Sequence, residues 1–278
     1  MTTYSLMLNG TTQTFDSSVL RTAVVTGVAG AASQANLTTS DTYVGLDGVT
    51  RETAEAVRVG NDGGKVQKFD SNGVAVDFLT LTGFQSVFGV AGPVDQGFID
   101  STPGTKNVFV GAGSYAYMNT GFNAERFYYI TGAGSVQGIG VARNDPQYAQ
   151  SFAYNYDGNG PSRYIVSGID SSQMVGTDKG RNFNNLAENF PWNQGIATHA
   201  GDTATVLDSP GSDRFSGFTL FASMVSADGS SLENDSLATY VGAFFDMVSA
   251  FSFRGGLDTA TVDPAAANRY RFTGFLLL

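Results

Sequence analysis

The stretch AFFDMVSAFSFRGGLDTATV, residues 243–262, carries the pattern from which the fold can be inferred. A phenylalanine at 245 is followed by a Gly-rich turn and then by the alternating segment DTATV. The same order recurs in GFQSVFGVAG (83–92), in AERFYYITGAG (124–134) and, more loosely, in AENFPWNQG (187–195). Because period-two alternation between turn residues is typical of short strands, the recurrence predicts an internal β repeat.

The spacing inside the repeat is regular enough to predict its architecture. Each copy begins at an aligned phenylalanine: Phe84, Phe127, Phe190 and Phe245. An alternating segment follows, and then a third apolar position, at Phe109, Phe152, Phe215 and Phe272. Three strands in fixed order with variable insertions predict an all-β fold, a parallel β-solenoid of about five to seven irregular coils. A β-sandwich built from the same strands is the alternative.

A solenoid makes its inward side chains stack, because successive coils lie about 4.8 Å apart. We therefore expect the four aligned phenylalanines to form one stack. Part of a second stack would contain Ala204, Val206, Ala260 and Val262. Alternation in SYAYM places Tyr115 and Tyr117 on the same side of their strand. That side is either core or, together with Trp192 and the other tyrosines, a face on which sugars stack, and the sequence leaves both open.

The chain divides into an N-terminal cap or assembly segment, residues 1–60, and a repeat-built β domain, residues 61–278. MTTYSLMLNGTTQTF (1–15) predicts a hairpin around an Asn-Gly turn. RETAEAVR (51–58) is the best helix candidate. DSLATYVGAFFDMVSAF (235–251) has some helical spacing, but its alignment with the other repeats favours strands.

Composition excludes several classes of function. The chain has 15 basic and 25 acidic residues, a net charge of −10, and no basic run, so binding to nucleic acid is not expected. No apolar run reaches the ~18 residues of a membrane helix, so membrane insertion is not expected. There is no cysteine and a single histidine, His199, so thiolate or multi-histidine metal sites cannot form.

Aspartates are the candidate ligands for a cation. Asp202, Asp208 and Asp213 lie in GDTATVLDSPGSDRFSGF (201–218), and Asp157 lies in YDGNG (156–160). GSDRFSG is close to one unit of a calcium-binding nonapeptide, but calcium needs six to eight oxygens and tandem copies are absent. Turn-forming carboxylates are therefore the favoured interpretation, with calcium the possible cofactor and no other expected.

Catalysis has little support in the sequence. No GxSxG elbow is present to expose a nucleophilic serine beside His199. We therefore predict that the protein is not an enzyme. The alternative is a polysaccharide lyase or hydrolase on an outer groove, for which the acidic and basic residues of the middle section would be used: Asp157, Asp170, Asp178, Arg163 and Arg181.

DTATVLDSPGSDRF (202–215) has the pattern DTA-x-x-x-DSPG-x-D-x-F. Parts of this pattern, or of the strand and GF ending that follow such a pattern, are matched by STPGTKNVFVGAGSYAYMNTGF (101–122) and FDMVSAFSFRGGLDTATVD (245–263). From about residue 62 to the C-terminus the chain resembles short repeats of very large secreted surface proteins of planctomycete-type bacteria. The resemblance implies an extracellular or cell-surface, repetitive and non-enzymatic protein.

We therefore predict a structural or adhesive protein that self-associates as a homo-oligomer or homopolymer, such as a filament or surface layer. A carbohydrate-active or carbohydrate-binding β-helix, with polysaccharide as partner, is the alternative. The ending RFTGFLLL (271–278) either associates with residues 1–15 of another copy or folds back into its own subunit.

Overall fold

The computed structural model describes residues 3–8, 11–16, 23–26, 34–38, 42–44, 50–52, 55–69, 75–121, 126–167, 170–226, 238–241 and 245–278. Side chains are described within 56–67, 80–121, 126–167, 170–225 and 245–278. The fold is the predicted parallel β-solenoid, with about four turns, slightly fewer than the five to seven predicted. Among the described residues, no helix is long and apolar enough to cross a membrane.

The strands, in chain order, are β1 (Thr3–Leu8), β2 (Thr11–Asp16), β3 (Ala23–Thr26), β4 (Gln34–Thr38), β5 (Thr42–Val44), β6 (Thr50–Glu52), β7 (Glu55–Gly60), β8 (Gly63–Phe69), β9 (Ala75–Thr82), β10 (Ser86–Val90), β11 (Gln96–Asp100), β12 (Asn107–Ala112), β13 (Tyr115–Thr120), β14 (Arg126–Thr131), β15 (Ser135–Ile139), β16 (Phe152–Tyr156), β17 (Ser162–Ser167), β18 (Ser171–Asp178), β19 (Arg181–Glu188), β20 (Trp192–Ile196), β21 (Thr203–Leu207), β22 (Asp213–Gly217), β23 (Ala222–Ser226), β24 (Ala238–Val241), β25 (Met247–Phe251), β26 (Thr259–Val262), β27 (Tyr270–Thr273) and β28 (Leu276–Leu277). Two 3-10 helices, Tyr148–Gln150 and Pro264–Arg269, lie in turns.

Two large sheets form the walls of the solenoid. The first sheet has the order β2-β1-β4-β10-β14-β13-β12-β16-β20-β24-β23-β22-β26-β28, and the second has the order β27-β25-β21-β17-β18-β19-β15-β11-β7-β8-β9-β3. The chain crosses from one sheet to the other and advances along the axis at each crossing. Strands of successive turns therefore pair in parallel, as in β10 with β14 and β11 with β15.

Antiparallel three-stranded meanders interrupt this winding. In β12-β13-β14 the chain folds back twice within the first sheet before it crosses again, and β17-β18-β19 does the same in the second sheet. The sequence repeat did not reveal these meanders. They consume chain without adding turns, which accounts for the lower number of turns.

The structural repeat is a five-stranded unit made of one meander and two single strands. Four such units span residues 55–100, 107–156, 162–207 and 213–262. Their meanders alternate between the second and the first sheet. Successive units are thus related by a half-turn about the solenoid axis with an advance along it, so equivalent strands of neighbouring units lie in opposite sheets.

Large side chains from one sheet pack against small residues in the other. Phe109 on β12 faces Gly138 on β15, where an added Cβ would lie 2.3 Å from the ring. Tyr164 on β17 faces Gly195 on β20 in the same way, at 2.4 Å. Glycine is therefore required at both positions, because an aromatic ring occupies the volume that a side chain would need.

Three of the four aligned phenylalanines are buried in the core, but they do not form the single predicted stack. Phe84 and Phe190 precede β10 and β20 of the first sheet, whereas Phe245 precedes β25 of the second sheet. Each lies five residues before a small residue of its strand. Phe127 was wrongly included: it lies half-buried on the outer side of β14, and the equivalent core position is Ala133. Phe127 belongs to a meander, whereas the other three precede single strands.

The second predicted stack is wrong. Ala204 and Val206 lie on β21 in the second sheet, whereas Ala260 and Val262 lie on β26 in the first. The two DTATV segments occur in neighbouring five-stranded units, and the half-turn between units moves them to opposite walls. Both segments do form strands, as predicted.

The N-terminal expectations have mixed outcomes. β1 and β2 pair as an antiparallel hairpin, as predicted, while the Asn9–Gly10 turn itself lies outside the described residues. The helix predicted at 51–58 is wrong, since residues 55–60 form β7, which pairs with β8 and β11. Strands from residues 1–60 continue both large sheets, and the division at residue 60 stays a prediction.

The segment 235–251 forms β24 and β25, so strands rather than a helix are confirmed there. At the other end of the domain, β28 pairs in parallel with β26. Phe275 packs against the core, but Leu276, Leu277 and Leu278 are exposed by 52%, 62% and 75%. Burial of these leucines inside their own subunit is therefore not observed.

Candidate functional site

Outward-pointing aromatic side chains occur on five of six adjacent strands of the first sheet, β10-β14-β13-β12-β16-β20, in which β12 contributes aliphatic residues. The central row of paired positions runs Phe88, Tyr129, Tyr117, Val110, Tyr154 and Gln194. The flanking rows add Phe127, Phe152 and Trp192 on one side, and Tyr115 and Tyr156 on the other. We call these nine aromatic residues, Val110 excluded, the aromatic face.

Alternation along each strand creates this face. Ala116 and Met118 on β13 are fully buried, and this forces Tyr115 and Tyr117 outward. Tyr128 and Ile130 on β14 are likewise buried, which places Phe127 and Tyr129 on the outside. Of the two alternatives left open for the tyrosines of SYAYM, the outer face is therefore the one observed.

The rings contact one another across the strands. Ring centroids are 5.6 Å apart for Phe88 and Phe127, 5.5 Å for Tyr117 and Phe127, and 5.7 Å for Phe152 and Trp192. Most of the rings are half-buried, Tyr115 and Tyr156 are exposed by 38% and 37%, and the Lys106 ammonium lies over the Phe152 ring, 5.1 Å from its centroid. The result is a preformed aromatic platform with little side-chain freedom left to lose on binding.

The outward strand positions around the aromatic face carry no charge, and the second sheet differs from the first in this respect. None of the outward positions on the six strands, residues 86, 88, 90, 108, 110, 112, 115, 117, 119, 127, 129, 131, 152, 154, 156, 192, 194 and 196, carries a charge. The central outward row of the second sheet reads Arg58, Phe98, Gln137, Leu186, Gln173, Ile165, Thr205, Ser249 and Arg271. The two walls therefore offer different surfaces to solvent.

Two depressions open on the aromatic face. The smaller, about 150 Å³, lies beside Phe152, Tyr154 and Trp192. The Trp192 indole N–H donates to the carbonyl of Ala149 at 3.1 Å, which fixes the orientation of this ring. The larger depression, about 480 Å³, lies beside Tyr115, Tyr117 and Tyr156 and has a polar end formed by turn residues. Burial, followed by the neighbouring tyrosines, raises the pKa of Tyr117, so its phenol stays a hydrogen-bond donor.

Asp157 lies at this polar end and is joined to His199 and Asp202. The Oδ2 atom of Asp157 accepts from the backbone N–H of Thr198 at 2.7 Å and is 2.8 Å from His199 Nδ1. Burial alone would raise the pKa of Asp157, but the hydrogen bonds from His199 and Thr198 outweigh it and lower that pKa. The same hydrogen bond to Asp157 raises the pKa of His199, which favours the charged pair.

Asp157, His199 and Asp202 also form the one group, among the side chains described, whose donor atoms all lie within 4.8 Å and could hold a metal ion. Asp202 is fully buried, and its carboxylate accepts from the backbone N–H groups of Ser162 at 2.6 Å and His199 at 3.0 Å. Burial raises its pKa. Each carboxylate thus already has partners that stabilise a turn.

The other predicted aspartates also clamp turns. Asp208 accepts from the backbone N–H groups of Phe253 and Arg254, at 2.9 and 2.6 Å. Asp213 accepts from the N–H of Ser209 at 2.8 Å and is 1% exposed. Burial, only partly offset by the hydrogen bonds from Ser209, raises the pKa of Asp213 to about 6. These contacts fit the turn interpretation, and calcium binding stays an untested prediction.

The structure brings together only two of the five residues considered for polysaccharide cleavage. Asp157 and Asp178 line the larger depression. Asp170 instead bonds Arg143 and the hydroxyl of Tyr148 in a different turn. Arg163 is exposed on β17 in the second sheet, and Arg181 is exposed where β19 begins.

Sequence reasoning named most of the tyrosines but missed Phe88 and Phe152 as surface residues. The signal that could have identified them is alternation in SVFGV and FAYNY, which places Phe88 and Phe152 opposite the buried Val87 and Ala153.

Comparison of the chain with protein-family models, with curated proteins and with solved structures found no match.

Proposed function

We propose that the protein is an adhesive, non-catalytic polysaccharide-binding solenoid, and that the aromatic face holds the polysaccharide. The observation that carries the proposal is the platform of nine aromatic rings on one wall, among outward strand positions that carry no charge. Sugar rings expose C–H groups on their faces, and these pack against the negative faces of aromatic rings. Tyrosine and tryptophan add polar groups at the rim of each ring that can bond sugar hydroxyls.

The dimensions of the face favour a polymer over a small molecule. Six strands spaced by about 4.8 Å give a length of roughly 24 Å along the solenoid axis. The absence of charge from its outward positions favours a neutral polysaccharide over a uronate or sulfated one. An extracellular or cell-surface location is consistent with such a partner and remains part of the proposal.

The test is retention of the protein by insoluble and gel-embedded polysaccharides. We expect binding to at least one neutral glycan, and marked weakening by Tyr117→Ala and by Trp192→Ala. Phe98→Ala is the matched control, because Phe98 is also outward and aromatic but lies on the opposite wall. Equal loss in all three variants, or no binding to any glycan, would contradict the proposal.

The same samples test the non-catalytic part. Asp157 and Asp178 line one depression, so the release of reducing ends or unsaturated products from each bound glycan should be measured. We expect none above the level of buffer alone. Turnover that is lost in Asp157→Asn or Asp178→Asn would replace the adhesive proposal by a polysaccharide hydrolase or lyase.

We also propose that the protein self-associates, and a different observation supports this proposal. Large apolar side chains in two turns of the last five-stranded unit are exposed by 43–68%: Phe218, Leu220 and Phe221 between β22 and β23, and Phe253 and Leu257 between β25 and β26. Exposed apolar groups of this size mark surfaces that associate. A second copy of the chain is the proposed occupant, consistent with a filament or a surface layer.

A further inference from the structure

The larger depression is a slot between two tyrosines. In the strand register, Tyr115 on β13 pairs with Ala112 on β12, and Ala112 is followed across the sheet by Tyr156 on β16. The two rings therefore stand two strand spacings apart, roughly 10 Å. Between them the floor is formed by the small residues Ala112 and Gly113, so the space above the floor stays open.

Three turns close the polar end of the slot and are tied to one another. Asp178, from the β18-β19 hairpin, accepts through Oδ2 from the backbone N–H of Ser114 at 3.2 Å and from its hydroxyl at 2.8 Å. The backbone N–H of Lys179 donates to Asn159 Oδ1 at 2.6 Å. The wall is therefore held by hydrogen bonds among these three turns.

Gly113 permits this arrangement. It adopts φ +52°, and a Cβ at this position would lie 2.8 Å from Asp178 Oδ2. Any larger residue would push the carboxylate away from the slot. The absence of a side chain at 113 thus lets a residue of the second sheet reach a site on the first.

The chemistry of the end wall suits neighbouring hydroxyl groups. Asp178 uses Oδ2 for Ser114, which leaves Oδ1 as an acceptor, and Lys179, which also lines the depression, has an ammonium group with three donor protons. A carboxylate and an ammonium in one wall can accept from one hydroxyl and donate to another. The two tyrosine rings would pack on the faces of the same sugar.

We propose that this slot binds a single neutral pyranose with two adjacent free hydroxyls, at a chain end or a branch of the polysaccharide. The inference rests on the proposed function, and it adds a second mode of recognition to the platform. The platform would hold the length of a chain, and the slot would select its end or side group. The volume of 480 Å³ exceeds one sugar ring and leaves room for its linkage.

The decisive variant fills the slot without touching the core. Ala112→Phe places a ring on the floor between the two tyrosines, and the matched control Ile196→Phe places one in the same outward row beyond Tyr156. Binding is measured by calorimetry with neutral glucose, galactose and mannose trisaccharides, and with glucuronate and glucosamine oligomers as charged comparators. Binding to the long glycan is followed through Trp192, the single tryptophan.

We expect Ala112→Phe to weaken binding of a neutral trisaccharide at least tenfold, about 1.4 kcal/mol, and to leave the long-glycan response of Trp192 nearly unchanged. Ile196→Phe should alter neither. Trisaccharide binding that survives Ala112→Phe, or that is found only for charged oligomers, would overturn the slot alone. A wild-type protein that binds no long glycan would instead overturn the proposed function.

Discussion

Replacing Phe245 by alanine tests the core that the repeat builds. Phe245 is fully buried, and its ring stacks on Tyr164 with centroids 6.0 Å apart and planes inclined by 26°. Truncation loses the transfer free energy of the ring and leaves a cavity that the neighbouring strands cannot fill. We expect the free energy of unfolding to fall by about 3–5 kcal/mol. At roughly 2–4 °C per kcal/mol, the melting temperature should fall by about 6–20 °C.

The measurement is urea unfolding followed by circular dichroism, with thermal melts alongside. Phe84→Ala should have a similar cost, because Phe84 occupies the equivalent buried position in the first unit. Phe127→Ala is the control, since its ring is on the outer side of β14 and should cost about 1 kcal/mol or less. A near-neutral Phe245→Ala, or a Phe127→Ala that is just as destabilising, would refute the assignment of core positions.

Four further results are expected. Gly195→Ala should destabilise the protein by about 1–3 kcal/mol because its methyl group meets the ring of Tyr164. In urea titrations, Tyr164→Leu in the same chain should recover part of this loss. If the effects of the two substitutions simply add, the clash is not the cause. A chelator should leave the melting temperature unchanged. A fall of tens of degrees would show that the candidate ligands, Asp157, Asp202, Asp208 and Asp213, include residues that bind calcium. The pKa of Asp213 is raised to about 6, so above pH 4 the folded state binds more protons than the unfolded state. The free energy of unfolding should therefore fall by up to roughly 3 kcal/mol as pH rises to 7. Asp213→Asn should flatten this fall. Phe253→Ser with Leu257→Ser should lower the mass seen by light scattering without a change in melting temperature, whereas an unchanged mass would remove this surface from self-association.

The strands were predictable because alternation is a local property of the sequence. DTATV and SYAYM each specify a strand with one buried side, and the turns between them are marked by Gly, Asn and Asp. RETAEAVR shows the limit of local reasoning. Its propensity for helix is outweighed because β7 pairs on both sides, with β8 and with β11.

The meanders and the half-turn between units could not be read from spacing. Which strand pairs with which depends on contacts between residues about 40 to 50 positions apart, and the two sheets use the same alternating pattern. Alternation correctly grouped Tyr115 with Tyr117, but the sequence could not say which side faced inward. The structure shows that the side with Ala116, which is fully buried, faces the core.

The relation between units also separates what the fold requires from what it does not. Across the half-turn, some inward residues keep their type: Phe109 corresponds to Tyr164 and Gly138 to Gly195, although Tyr128 corresponds to Asn185. The outward aromatic residues are not kept. Five aromatic residues of the first sheet have non-aromatic counterparts in the second sheet: Gln137 for Phe88, Gln173 for Tyr117, Leu186 for Tyr129, Thr203 for Phe152 and Thr205 for Tyr154.

Since the solenoid folds with glutamine and threonine at these positions on one wall, the rings on the other wall are not needed to build it. Nine half-open aromatic rings also cost solubility without adding to the core. Their concentration on adjacent strands of one wall therefore supports the partner that we propose for this face.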